Sequence, residues 1–100
     1  QGEKLIRDFL PTGNCTLPHV AAFLSLSVRT LQNRLEDERT SFQLLLEKVR
    51  RELAINHLSV GDMQLTQLAY LLGYSELSAF SRSFKRWYGT SPRNWQKSAA

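Results

Sequence analysis

Apolar residues recur along the whole chain at α-helical spacing, and no alternating strand pattern of useful length occurs. In the longest such segment, from about residue 41 to 58, the apolar positions are four, three and four residues apart: Phe42, Leu46, Val49 and Leu53. This spacing gathers the four side chains on one face of a helix and leaves the opposite face polar. The pattern therefore predicts an all-α chain of about seven helices.

Polar and small residues mark where these helices begin and end. Thr16 and Ser27 are natural N-caps, because a hydroxyl oxygen accepts a hydrogen bond from a free N–H group of the first turn. Gly73 suits a helix end, where the backbone needs a positive φ. Ser91 and Pro92 predict the start of the last helix.

Two stretches of the chain follow the same pattern. Residues 20–27 (VAAFLSLS) match residues 68–75 (LAYLLGYS), and each stretch is followed by a helix with two inward apolar residues, Leu31 and Leu35 or Phe80 and Phe84. In each copy an alanine, residue 21 or 69, stands four positions before a small residue, Ser25 or Gly73. Two helices that cross steeply need a small residue where their backbones approach, so the repeat predicts two helix-turn-helix units. Two plain helical hairpins in a bundle are the alternative, and the agreement of two copies favours nucleic-acid binding.

The predicted organisation has three parts: a first helix-turn-helix subdomain over residues 1–40, a connecting helix over 41–59 and a second subdomain over 60–100. A connecting helix of about 18 residues would span roughly 27 Å. If the units are rigidly joined, they would reach two major-groove segments about one turn, or roughly 34 Å, apart.

Composition excludes several other classes of protein. The single cysteine, Cys15, forms no internal disulfide and fits a reducing cytoplasm, and together with two histidines it does not make a four-ligand zinc site. The apolar runs are far shorter than the ~20 residues of a membrane span. His19 lies four residues after Cys15, but no orienting group or oxyanion donor accompanies the pair. We therefore expect no enzyme, no cofactor, no metal and no membrane partner.

Charge is unevenly distributed along the sequence. The formal net charge is +4, with five basic and five acidic residues in 1–40 but five basic and two acidic residues in 61–100. A basic surplus at one end favours a polyanionic partner, and with the repeat it indicates double-stranded DNA.

Several of these residues resemble a known family. Residues 68–75 (LAYLLGYS), 80–86 (FSRSFKR), 89–92 (GTSP) and Trp95 look like the C-terminal signature of AraC/XylS-family transcription regulators. Residues 26–35 (LSVRTLQNRL), with Ser41 and Phe42 after them, are similar to the upstream repeat of that family. The resemblance implies two helix-turn-helix units that bind DNA in a bacterial regulator, such as an activator. It also implies an N-terminal effector-sensing or dimerisation domain, and it allows a contact with RNA polymerase.

Three residues depart from the family pattern. Arg39 stands where the family usually has glycine, so we expect the local backbone to differ. Gln96 replaces a frequent arginine and removes one phosphate contact. Asn33 occupies an often basic position, which argues against a guanine preference there.

The outward side chains of the two recognition helices are the candidate DNA contacts. The expected base-reading residues are Arg29, Gln32, Asn33, Ser78, Ser81 and Arg82, with Arg82 the strongest candidate. The expected phosphate contacts are Lys85, Arg86, Arg93 and Lys97. A merely solvated helix face is the alternative for each of them.

Acidic, aromatic and apolar residues outside these candidate contacts are expected to have other positions or partners. The acidic run of residues 36–38 is expected to point away from DNA, or else to contact RNA polymerase. The phenylalanines, Trp87 and Trp95 are expected in the core, and Leu24 on the apolar side of the second helix. A protein-interaction module that binds no DNA is the main rival function. RNA binding is less favoured, because stacking aromatics are not evident.

Overall fold

Seven α-helices and one short 3-10 helix form the regular structure of residues 2–99, the part of the chain that this computed structural model describes. The elements are α1 (Gly2–Phe9), the 3-10 helix (Leu10–Thr12), α2 (Leu17–Phe23), α3 (Val28–Asp37), α4 (Phe42–Val60), α5 (Leu65–Leu71), α6 (Leu77–Tyr88) and α7 (Pro92–Ala99). No strand occurs in these residues. The prediction of an all-α chain with about seven helices is confirmed.

The chain forms two compact units, the first ending at Val49 and the second beginning at Arg50. The division falls inside α4, so each unit includes part of this helix. The predicted subdomain boundaries, at residues 40 and 60, stay predictions.

In the first unit, α2 and α3 pack their apolar sides together. Leu31 and Leu35 are buried, as the sequence pattern predicts, and Val20 and Ala21 are buried with them. At the edge of this unit Lys48 Nζ donates a 2.8 Å hydrogen bond to Glu3 Oε2. That hydrogen bond, together with the charge of the ammonium group, holds the pKa of Glu3 below its ordinary value.

Two apolar side chains of the first unit are not in the core. Phe23 is 65% exposed and Leu24 is 37% exposed, so the expectation that both are buried is wrong. Leu24 is the C-cap of α2, beyond its last helical residue. Phe23 lies two positions after the buried Ala21, or about 200° around the helix, so it faces away from that residue. Phe23 keeps one aromatic contact, edge-on to Phe9 with ring centroids 5.3 Å apart.

The core of the second unit is built around aromatic rings on α6. Phe80 and Phe84 are fully buried, as predicted, and their ring centroids lie 5.9 Å apart at a steep angle. Trp87 and Trp95 pack on Phe84 but are only partly buried. Burial of each large side chain stabilises the fold by about 1.5–3 kcal/mol, so this cluster fixes the inward face of α6.

The predicted N-caps are present. Thr16 Oγ1 accepts a hydrogen bond from the His19 backbone N–H (3.4 Å), and Ser27 Oγ accepts one from that of Thr30 (3.1 Å). Both cap residues have extended backbone, which ends the preceding turn before the helix begins.

The turn that follows α2 ends the helix with a left-handed residue. Ser25 has φ 58°, its N–H donates to the Ala22 carbonyl (3.0 Å), and the N–H of Leu26 donates to the Ala21 carbonyl (2.9 Å). This pair of bonds is a Schellman motif, which satisfies carbonyl groups that the helix leaves free.

The turn after α5 has the same geometry. Gly73 has φ 89°, and the N–H groups of Gly73 and Tyr74 donate to the carbonyls of Tyr70 and Ala69, both at 3.0 Å. Ala69 is completely buried, as its counterpart in the first unit nearly is. The repeat found in the sequence is therefore a repeat of one backbone geometry.

A third Schellman motif ends α3, at Arg39. The N–H of Arg39 donates to Glu36 (2.8 Å) and that of Thr40 to Leu35 (2.9 Å), while Arg39 has φ 60°. The expectation of a different backbone at this position is wrong. The two hydrogen bonds hold the left-handed conformation even though the residue has a side chain, at a cost of about 1–2 kcal/mol.

We expect Arg39→Gly to raise the free energy of unfolding by up to about 1 kcal/mol, because glycine adopts positive φ without steric strain. Urea denaturation measures the change. Arg34→Gly, at an exposed position inside α3, is the matched control and should lower stability by about 1 kcal/mol. A loss of stability in Arg39→Gly similar to that in the control would contradict the strain.

Candidate nucleic-acid interface

The three candidate residues of the first unit are on α3. Leu31 and Leu35 fix which side is buried, and Arg29, Gln32 and Asn33 are all exposed. At about 100° per residue, Asn33 lies nearly opposite Leu31, with Arg29 one turn before it on the same face. Gln32 lies on the flank of the helix instead. The structure thus brings Arg29 and Asn33 together and sets Gln32 to one side.

The outward face of α6 includes the candidates of the second unit. Ser78, Arg82 and Lys85 are exposed and follow one another at intervals of four and three residues, opposite the buried phenylalanines. Ser78 Oγ donates to Glu76 Oε1 at 2.8 Å, so its hydroxyl is already engaged in this structure. Ser81 is half-buried at the edge of the face. Arg82 is the long polar side chain at the centre of the exposed strip.

Basic residues continue beyond this strip. Arg86, Arg93 and Lys97 are exposed on the last turns of α6 and on α7. Gly89, at φ 76°, ends α6 with its N–H bonded to the Lys85 carbonyl (2.7 Å), and Ser91 Oγ accepts from the Asn94 N–H (3.1 Å) at the start of α7. Only a short turn separates α6 from α7, so the basic residues of the two helices belong to the same unit.

The two units differ in charge. The first has six basic and six acidic residues, whereas the second has seven basic and three acidic ones. The acidic residues 36–38 lie exposed at the end of α3 and account for half of the negative charge of the first unit. The second unit therefore has the net positive charge that attracts a polyanion.

Arg50 is a residue that the sequence pattern did not single out. Its Nε donates a 2.8 Å hydrogen bond to the carbonyl of Leu72, the C-cap of α5, and its guanidinium carbon lies 4.3 Å from the centre of the Tyr74 ring. Arg50 therefore holds both residues that flank Gly73 in the turn before α6. No local pattern reveals this, because the partners are more than twenty residues away.

Gln96 has a comparable structural contact. Its side-chain amide donates a 3.0 Å hydrogen bond to the carbonyl of Leu58, in the last turn of α4. The carbonyls of a last helical turn have no partner within the helix, so this bond satisfies one of them. The predicted loss of a phosphate contact at this position stays a prediction.

The pair considered for catalysis is engaged elsewhere. Cys15 Sγ lies 3.8 Å from the carbonyl oxygen of Ile6, and His19 Nδ1 is 2.7 Å from Thr16 Oγ1, in the cap of α2. Within residues 2–99 no three His, Cys, Asp or Glu side chains cluster as metal ligands. Over the same residues no helix is both long and apolar enough to cross a membrane.

We expect Arg50→Lys to lower the free energy of unfolding by about 1–3 kcal/mol. Lysine keeps the charge but has neither the planar group that stacks on Tyr74 nor the fixed donor that meets the Leu72 carbonyl. Chemical denaturation measures the loss. Arg51→Lys, at an exposed neighbouring position, is the control and should stay within about 0.5 kcal/mol of the parent. Equal effects of the two changes would contradict the role of Arg50.

The sequence of this chain is similar to those of several known proteins. A family profile described as a helix-turn-helix domain matches residues 20–98. The chain is 44% identical over 92 residues to the HTH-type transcriptional regulator VirS of Mycobacterium tuberculosis, covering 92% of this chain and 27% of that protein. It is 32% identical over 95 residues to the HTH-type transcriptional regulator VqsM of Pseudomonas aeruginosa, covering 95% of this chain and 29% of that one. The chain thus spans less than a third of the length of these relatives.

Solved structures show the same fold. The C-terminal domain of AraT, a response regulator from Geobacillus stearothermophilus, superposes with a TM-score of 0.86 at 30% identity, over 97% of this chain and 81% of that one. A DNA-binding transcriptional dual regulator from Escherichia coli K-12 has a TM-score of 0.79 over 99% of this chain and 92% of that one, at 24% identity.

Proposed function

The chain belongs to the AraC-type helix-turn-helix family of transcription regulators, and we propose that it binds double-stranded DNA with both of its units, through the outward faces of α3 and α6. As a member of this family it is a sequence-specific DNA-binding domain that acts in transcription regulation.

One observation carries the proposal: the same helix-turn-helix geometry occurs twice. Each unit has a Schellman motif, and the left-handed residue of this motif lies four positions after a buried alanine. The helix that follows the motif has a polar outer face. The major groove of B-DNA admits an α-helix, and the second helix of such a motif is the one that enters it. A protein that bound DNA with one unit alone would not need the second copy of this geometry.

We propose that base reading rests on the residues that project furthest from each core. In α3 these are Arg29 and Asn33, with Gln32 at the flank, and in α6 they are Arg82 and Ser78. Ser81 takes a smaller part, because it is half-buried. Arginine suits the N7 and O6 atoms of guanine, and asparagine or glutamine suits N6 and N7 of adenine.

We propose that the second unit supplies most of the phosphate contacts. Its surplus of basic over acidic residues supports this, and Lys85, Arg86, Arg93 and Lys97 are all exposed. The first unit has no net charge, so its contribution would come from hydrogen bonds to bases. Affinity would then depend mainly on the second unit, and sequence preference on both.

The presence of two helix-turn-helix geometries in one chain supports a site with two motifs. We therefore propose that the units address successive major grooves on a non-palindromic site.

The remaining proposals concern the whole regulator. The longer relatives support an additional effector-sensing or dimerisation domain, as the family resemblance implies. RNA polymerase is a further partner that the family implies, and the exposed acidic residues 36–38 are candidates for that contact. We infer a DNA reader rather than an enzyme, since His19 Nδ1 is engaged in a helix cap.

Two variants of α6 separate base reading from phosphate neutralisation. Arg82→Ala should weaken binding to a selected site by about 1–3 kcal/mol and relax the preference at one base pair. Lys85→Ala should weaken binding to every duplex alike and lower the slope of log affinity against log salt by about one. Both residues are exposed, so neither change should alter folding.

Fluorescence anisotropy titrations of a selected and a scrambled duplex across a salt series measure both effects. An Arg82→Ala variant that loses as much affinity for the scrambled duplex as for the selected one would argue against base reading by Arg82.

A further inference from the structure

A cavity of about 590 Å³ opens beside the recognition helix of the first unit. It lies between the start of α2, one flank of α3 and the segment that leads into α4. Its apolar surface comes from four residues of these elements, Leu17, Leu35, Phe42 and Leu46. This volume is in the range of sites that hold small organic molecules, which are also mainly apolar with a few polar groups.

The polar side chains that line the cavity give it a negative charge. Among the described residues that line it, Glu36 is the only one with a charged side chain, and the amides of Gln32 and Gln43 accompany it. Asp37 and Glu38 follow on the chain but do not line this cavity. A ligand that matches this lining has an apolar body and a positive group.

We propose that this cavity binds a small organic amine, with its alkyl or aryl body against the leucines and Phe42 and its ammonium group at the Glu36 carboxylate. Gln32 and Glu36 are one turn apart on the same flank of α3, so the ligand covers the side of the helix that presents Gln32. The amine and the DNA therefore compete. This competition rests on the proposed function of α3 in base reading, whereas binding of the amine does not.

Binding can be tested without DNA. We would titrate the ¹⁵N-labelled chain with 4-phenylbutylamine, and with 4-phenylbutanol and 4-phenylbutyrate as neutral and anionic controls of similar shape. The expected order of affinity is amine, alcohol, carboxylate, with saturable shifts at the backbone amides of the cavity, such as those of Leu35 and Phe42. Shifts scattered outside the cavity, or equal binding of amine and carboxylate, would overturn the proposal.

Variants at two carboxylates of α3 and its C-cap test the charge contact. Glu36→Gln should weaken binding of the amine about three- to fivefold and leave the alcohol unchanged, as expected for one exposed ion pair. Glu38→Gln is the matched control, because Glu38 is exposed but does not line this cavity. Equal losses in the two variants would show a general charge effect and overturn the assignment of Glu36.

The competition is tested separately by anisotropy with a selected duplex. With the amine at ten times its dissociation constant, the apparent dissociation constant for DNA should rise about elevenfold if the two exclude each other. No rise, with the amine bound, would overturn the competition. No DNA binding in the absence of amine would instead contradict the proposed function and leave the titration to decide the cavity.

Discussion

The geometry of each helix-turn-helix unit depends on one residue with positive φ, placed four positions after a buried alanine. Ser25 and Gly73 hold this conformation, and the buried alanines Ala21 and Ala69 each accept one of the two hydrogen bonds that close the turn. The turn sets the direction of the next helix, and the buried residues of α3 or α6 then set which of its faces points outward. The polar residues on that face can then vary without changing the turn.

The two units meet this constraint in different ways. The second unit uses glycine at the ends of α5 and α6, at Gly73 and Gly89, and fastens the turn with Arg50. The first unit places side chains in the left-handed conformation, Ser25 before α3 and Arg39 after it. A strained residue therefore flanks α3 at each end, and each of the two costs about 1–2 kcal/mol. The first unit also has no surplus of positive charge to attract DNA.

Local patterns in the sequence predict the helices, their N-caps and the buried pairs on α3 and α6, because each depends on residues within a few positions of one another. They fail at Phe23, which faces away from the buried Ala21, and at Leu24, which follows the end of α2. They also fail at Arg39, where two hydrogen bonds outweigh side-chain strain. They also miss Arg50, whose partner is distant in the chain. The exposed residues could be placed on a face, but their contacts with bases depend on a docking geometry that no sequence pattern contains.

The central claim is that both units read DNA, and selection of binding sites from a random duplex library tests it most directly. The account predicts an asymmetric site with two conserved motifs about one helical turn, or ~10.5 base pairs, apart. The motif of one unit should lose its conservation when the outward residues of that unit's recognition helix are replaced by alanine. A single motif confined to half a turn, or one that only the α6 substitutions affect, would contradict it.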